Sequence, residues 1–290
     1  MRVIEESELI INPDGSIYHL HITPDQIADD IIVVGDPGRV EIISSYFDTI
    51  EHKVYNREFV THTGMFKGKR FTVLATGIGT DNIDIVMNEL DALVNIDLKT
   101  RQVKSTHRSL NIIRLGTSGA LQEDIPVDSF VFSTYGLGLD GLLNFYRDRD
   151  KVIEKDMTES FYKYSKWNKE LTKPYIVKAS EELEKKISEG MFKGITATAP
   201  GFYGPQGRVL RLELENPEIN SSLESFVFDS NRVTNFEMET SALYGLGKML
   251  GHNTATVCAI IANRYNRTYS KDYKKTVNKL IEVLLERLSQ

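Results

Sequence analysis

Cysteine is nearly absent: the 290 residues include one, Cys258, so no disulfide can form within the chain. It lies in the apolar run Thr254–Ile261 with no base beside it, and that setting reads as a small core side chain rather than a nucleophile. A basic excess is missing too. Lys and Arg number 35 against 41 Asp and Glu, a formal charge of −6, which argues against a nucleic-acid binder. One small anion needs only a few local arginines and stays within reach. No apolar run approaches membrane-spanning length, and the acidic start Met1–Glu8 lacks the apolar core of a secretion signal, so a cytoplasmic protein without membrane contact is expected. The six histidines show neither a His-x-x-x-His pair nor a Cys/His cluster, so no metal site is expected. His19 and His21 alternate, and read as surface residues on one strand face. No Gly/Ser/Pro linker and no internal repeat divides the chain, which predicts one domain over 1–290.

Short β-branched runs alternate with amphipathic segments. Strands are predicted at Ile31–Val34, Phe71–Ala75, Asn111–Leu115, Ser129–Thr134, Gly194–Ala199 and Thr254–Ala262. Helical spacing appears in Arg39–Phe47, in the segment capped by Asp81 or Asn82 with Ile83, Val86, Leu90, Leu93 and Val94 inside, and in Tyr273–Leu288. This alternation predicts an α/β fold whose largely parallel or mixed sheet is covered on both faces. Two polar stretches, 97–109 and 148–190, read as surface insertions, the second with a helix over Val177–Ser188.

One arginine stands out. Ile112-Ile113-Arg114-Leu115 places a guanidinium in an apolar run, where it needs either an anionic ligand or a core carboxylate. Gly116-Thr117-Ser118-Gly119 follows and reads as a turn offering free N–H groups and hydroxyls. Two more glycine turns, Gly35-Asp36-Pro37-Gly38-Arg39 and Gly77-Ile78-Gly79-Thr80, also follow predicted strands, and loops at strand ends line the ligand crevice of an open α/β sheet. None of the three fits a dinucleotide or P-loop fingerprint. Arg39, Arg114 and Thr117 together could complement a phosphate dianion. Thr234-x-x-Glu237 reads as a capping box opening a helix, which leaves Glu239 free to accept from sugar hydroxyls. In Gly201–Arg208, a loop presents Phe202, Gln206 and Arg208, a set able to read the carbonyl and imide edge of a pyrimidine.

These elements, in this order, resemble the nucleoside phosphorylase-I family, from Tyr18-His19-Leu20 through Asn56-Arg57-Glu58-Phe59 and Phe236-Glu237-Met238-Glu239 to Ala262-Asn263-Arg264. The resemblance implies a three-layer αβα domain with a mixed, partly barrel-like sheet. It implies a pentosyltransferase of pyrimidine salvage, reversibly phosphorolysing a nucleoside such as uridine to uracil and ribose 1-phosphate. By position, Gly35, Arg39, Arg114 and Thr117 match phosphate ligands, and Arg57 matches an arginine donated by the neighbouring subunit. Glu237, Met238 and Glu239 match the ribose segment, with His19 reaching the 5′-hydroxyl from the neighbour. Phe202, Gln206 and Arg208 match the base pocket, and Arg264 an arginine near the exocyclic oxygen; Arg114, Thr117 and Arg264 would carry the catalysis. Purine-cleaving members place an aspartate where this chain has Asn263, and an amide cannot protonate a purine. No cofactor is implied. Glu58 and Ile78 match a monovalent-cation site of some relatives, whereas Asn82 replaces its serine. A homodimer or homohexamer with shared sites is expected. The alternatives are a purine phosphorylase or a hydrolytic nucleosidase on the same fold, and a non-catalytic nucleoside-binding protein.

Overall fold

The computed structural model describes residues 2–290. Its framework begins with β1 (Asp30–Val34), α1 (Pro37–Ser44) and a meander of β2 (Thr49–Asn56), β3 (Phe59–Phe66) and β4 (Lys69–Ala75). Then come α2 (Thr80–Asn95), a small hairpin of β5 (Ile96–Asp97) and β6 (Gln102–Val103), and the long strands β7 (Asn111–Ala120) and β8 (Phe130–Gly138). The middle of the chain supplies α3 (Lys155–Tyr164), β9 (Tyr175–Lys178), α4 (Glu181–Ile187) and β10 (Phe192–Thr198). The last part holds α5 (Ile219–Ser225), β11 (Val227–Phe228), β12 (Asn231–Glu237), α6 (Thr240–Leu250), β13 (Asn253–Asn263), β14 (Thr268–Tyr269) and α7 (Tyr273–Ser289).

The sheet runs β11-β12-β10-β8-β13-β7-β1-β4-β3-β2, and an extra pairing of β12 with β7 closes β7, β13, β8, β10 and β12 on themselves. Neighbours β4, β1, β7 and β13 are parallel, while β8 meets β13 antiparallel. Register shifts in β13 between Ile260 and Ala262, and beside β8 between Gly194 and Ile195, mark the irregularities that let long strands bend into closure. The open half carries the main core, with Ile31–Val34 and the inner faces of α2 and α7 fully buried. The whole is a three-layer αβα arrangement whose mixed sheet partly becomes a barrel.

Several local expectations change. Gly116–Gly119 is no turn: it continues β7, paired with β13 through Ser118 and with β12 at Gly119, so its backbone is committed to the ladder. Thr234–Glu237 closes β12 instead of opening a helix, because Asn235 and Phe236 pair with β7 and β10. Val177 belongs to β9, paired with β8, and the helix predicted from it begins only at Glu181. The 148–190 stretch is not merely a solvated face. Met157, Phe161 and Trp167 enter a second core with Phe226 and Ile195. His19 lies in a turn and His21, at φ +56°, just beyond it, and neither is on a strand.

Candidate active site

Arg114 leaves the middle of β7, and its side chain is almost wholly buried. Its guanidinium folds back over Gly116, where a Cβ would come within 1.9 Å of Nη1, so only glycine leaves room for it. It donates to Glu239 and lies 3.5 Å from Glu237. Both readings of the buried arginine therefore meet at one place: it has core carboxylates, and those carboxylates belong to the candidate site. Burial works against its charge, but Glu239 and Glu237 outweigh burial and hold Arg114 above the ordinary arginine range.

Arg39, from α1, turns toward the same spot and donates to the Leu115 carbonyl at 3.1 Å. Burial, and then the facing Arg114 charge, lowers its pKa. Two guanidiniums thus face each other closely enough for their charges to oppose, an electrostatic arrangement that favours a dianionic ligand. Gly35 precedes α1, whose first turn is capped by Asp36 accepting from Gly38 N–H at 2.9 Å. Thr117 lies on β7, half-buried, three positions beyond Arg114.

The two glutamates divide their work. Glu237 accepts from Thr198 Oγ1 at 2.7 Å, from Glu239 N–H at 2.9 Å and from Thr240 N–H at 3.0 Å, tying the end of β12 to the start of α6. Glu239 accepts from Gly79 N–H at 2.9 Å and from Met238 N–H at 3.2 Å. Gly79, at φ +101°, opens α2, so that helix start and the glycine turn Gly77–Thr80 reach this site. Burial, reinforced by Glu237 and only partly offset by Arg114, pushes Glu239 up to about 7. Cys258 faces Arg114 Nη1 at 3.8 Å, and burial pushes its thiol up to about 12, which keeps it protonated and unreactive.

The base-side residues form a second group. Gln206 is buried, with Arg208 Nη1 donating to its Oε1 at 2.7 Å and Arg264 Nη1 donating to its backbone carbonyl. Arg208 also stacks over the Phe202 ring, 3.8 Å from its centre. Arg264 lies over Phe236, 5.7 Å from the ring centre, and burial together with nearby Arg208 lowers its pKa. A cavity of about 1030 Å³ lies beside Gly204 and Pro205, walled by Leu139, Trp167, Leu171 and Ile219; it includes none of the residues matched to the base.

His19 and Arg57 gather around Tyr18. Arg57 donates to Tyr18 Oη at 3.2 Å, and His19 packs edge-on to the same ring. Among the described residues neither bonds to Arg39, Arg114 or Glu239. Asn82 Nδ2 lies 3.5 Å from Glu58 Oε1, so the residue in place of the serine contacts the matched glutamate. One cluster of metal-ligating type, Asp91, His107 and His252, lies at the far end of α2. There, His252 Nδ1 accepts from Leu110 N–H at 3.2 Å, which puts the remaining ring proton on Nε2 and removes the lone pair a metal requires.

Two structural roles escaped the sequence. The Asn263 side chain is committed to backbone: its Nδ2 donates to the Gln122 and Ile125 carbonyls at 2.8 and 2.7 Å, and its Oδ1 accepts from Asn266 N–H. Glu89, on α2, holds His19. A carboxylate within the apolar spacing Val86-Glu89-Leu90-Leu93 was the available signal.

Comparison with known proteins agrees with this fold. A model described as the phosphorylase superfamily matches residues 29–289. A uridine phosphorylase of Thermococcus kodakarensis is 29% identical over 262 residues, covering 88% of this chain and 80% of that protein. A purine nucleoside phosphorylase of Clostridium perfringens is 31% identical over 245 residues, covering 83% and 85%. A solved Trypanosoma brucei nucleoside phosphorylase, described as showing uridine phosphorylase activity, superposes with a TM-score of 0.83 at 30% identity, covering 97% of this chain and 99% of that one. With the model spanning most of its length, this chain belongs to the phosphorylase superfamily.

Proposed function

We propose that this protein catalyses reversible phosphorolysis of a pyrimidine nucleoside, converting uridine and phosphate to uracil and ribose 1-phosphate. The observation that carries the reading is the meeting of Arg39 and Arg114 beside Glu239, because a water nucleophile needs no cationic cradle. Phosphate held there lies beneath C1′ while Glu239 and Met238 border the ribose. As the C1′–N1 bond breaks, positive charge grows on the sugar and negative charge on the uracil. The dianion stabilises the first, and Gln206, Arg208 and Arg264 stabilise the second. A phosphate oxygen then bonds to C1′, and the uracil anion takes a proton from solvent. The pyrimidine choice is supported by the Gln206–Arg208–Arg264 cluster and by an Asn263 amide engaged with backbone carbonyls. His19 and Arg57, which make no bond to their own Arg114 among the described residues, are assigned to the neighbouring subunit's site in a homodimer or homohexamer, with no cofactor beyond the phosphate co-substrate.

Incubating the protein with uridine, with and without phosphate, tests this directly. Cleavage should require phosphate and release ribose 1-phosphate; equal rates without phosphate would make the enzyme a hydrolase. Inosine should turn over far more slowly than uridine.

A pH dependence follows from Glu239. Below about pH 7 it carries a proton and loses acceptor capacity for the sugar diol, so kcat/KM for uridine should fall as pH drops through about 7. Phosphate titrates in the same region. Glu239→Gln separates the two, since its remaining slope belongs to phosphate alone; an unchanged profile in that variant would remove Glu239 from the assignment.

A further inference from the structure

We infer that Glu89 is a positioning residue that aims His19 at the nucleoside 5′-hydroxyl, a role that rests on the phosphorolysis reading above. Glu89 is buried on the inner side of α2 and forms no ion pair with lysine or arginine among the described residues. Its carboxylate is spent on one short segment. Both oxygens accept from His19 N–H at 3.1 Å, Oε2 accepts from Leu20 N–H at 2.9 Å, and Oε1 lies 2.6 Å from His19 Nδ1.

A carboxylate cannot donate, so the Nδ1 contact places a proton on that nitrogen. Nε2 is then the ring atom left for a ligand, and the ring is 28% exposed. The remaining contacts hold the same orientation. Asn56 Nδ2 donates to the His19 carbonyl at 2.8 Å, and Tyr18 and Phe59 pack edge-on against the imidazole. Such outer partners fix both tautomer and ring direction. In the tautomer that Glu89 selects, Nε2 carries the lone pair, and a hydroxyl group is the ligand that donates to it. The segment Tyr18–Leu20 has no regular secondary structure of its own, so Glu89 is what anchors it to a rigid helix.

Glu89→Gln keeps the size and one acceptor for the backbone, but can turn an NH₂ toward Nδ1 and favour the opposite tautomer. In that variant kcat/KM for uridine should fall about tenfold, the equivalent of one hydrogen bond. The rate with 5′-deoxyuridine should stay at the wild-type value, and His19→Ala with Glu89→Gln should be no worse on uridine than His19→Ala alone. Equal losses on both substrates would overturn the proposal and leave Glu89 a scaffold residue. Nitrogen chemical shifts of the His19 ring give a readout independent of turnover: Nδ1 protonated in the wild type and Nε2 protonated in Glu89→Gln. An unchanged tautomer would likewise overturn it. Failure of the wild type to cleave uridine with phosphate would sink the functional reading instead, while the ring spectra still decide the positioning.

Discussion

Arg114→Ala should lower kcat/KM for phosphate by about 10²–10³-fold, the loss typical of removing a donor aimed at transition-state charge. The guanidinium has two tasks, and the substitution ends both. In the proposed site it helps Arg39 attract a dianion, and it pairs with Glu237 and Glu239, which are both buried. Stripping one partner from a buried ion cluster costs about 3–5 kcal/mol, so the variant should also unfold at lower denaturant. Arg114→Lys separates these effects. A lysine keeps a positive charge for the glutamates but loses the planar fork that bonds two acceptors together, so stability should recover more than phosphate affinity. Steady-state kinetics at varied phosphate, with urea melts of all three proteins, measure this. Wild-type phosphate dependence in both variants would dismantle the cradle.

Asn263→Asp should destabilise the fold by about 2–4 kcal/mol and confer no activity on inosine or guanosine. The change introduces an acid of the kind that could protonate a purine, and residue identity alone would suggest a switch of base. The structure gives the opposite answer. The Asn263 side chain is enclosed, and its amide donates to two backbone carbonyls of the Gln122–Ile125 loop while its oxygen holds Asn266 N–H. A carboxylate keeps the last contact but turns an oxygen toward both carbonyls, where it is repelled and they lose their donor. Denaturant melts and an inosine assay decide it. A variant of wild-type stability that cleaves inosine would show that Asn263 faces the base after all.

How much of this was legible beforehand follows from the range of each interaction. The buried strands at Ile31–Val34 and Phe71–Ala75 and the helices beginning near Thr80 and Tyr273 were readable because apolar periodicity is local. The β2–β3 meander went unread: β2 is half exposed and β3 buried nearly throughout, so neither alternates cleanly. Gly116–Gly119 misled because glycine, threonine and serine favour turns when nothing pairs with them. Here β13 lies alongside, and pairing over the whole length outweighs that tendency. Glu237 misled similarly. A capping box and a strand end contain the same residues, and Glu237 does cap a helix, but one beginning three residues later.

Residue types and their order thus determined, without coordinates, that an arginine would be buried in a strand, that glycines would follow the buried strands ending at Val34 and Ala75, and that one cysteine leaves no internal disulfide. Only the tertiary structure decided what Arg114 would touch. Its partner Glu239 lies 125 residues away, and their meeting depends on β7 and β12 closing against each other. A guanidinium declares from sequence that it requires an anion. Which anion it finds is set by strand register, because a hydrogen bond acts over about 3 Å and the chain brings its groups that close only by folding.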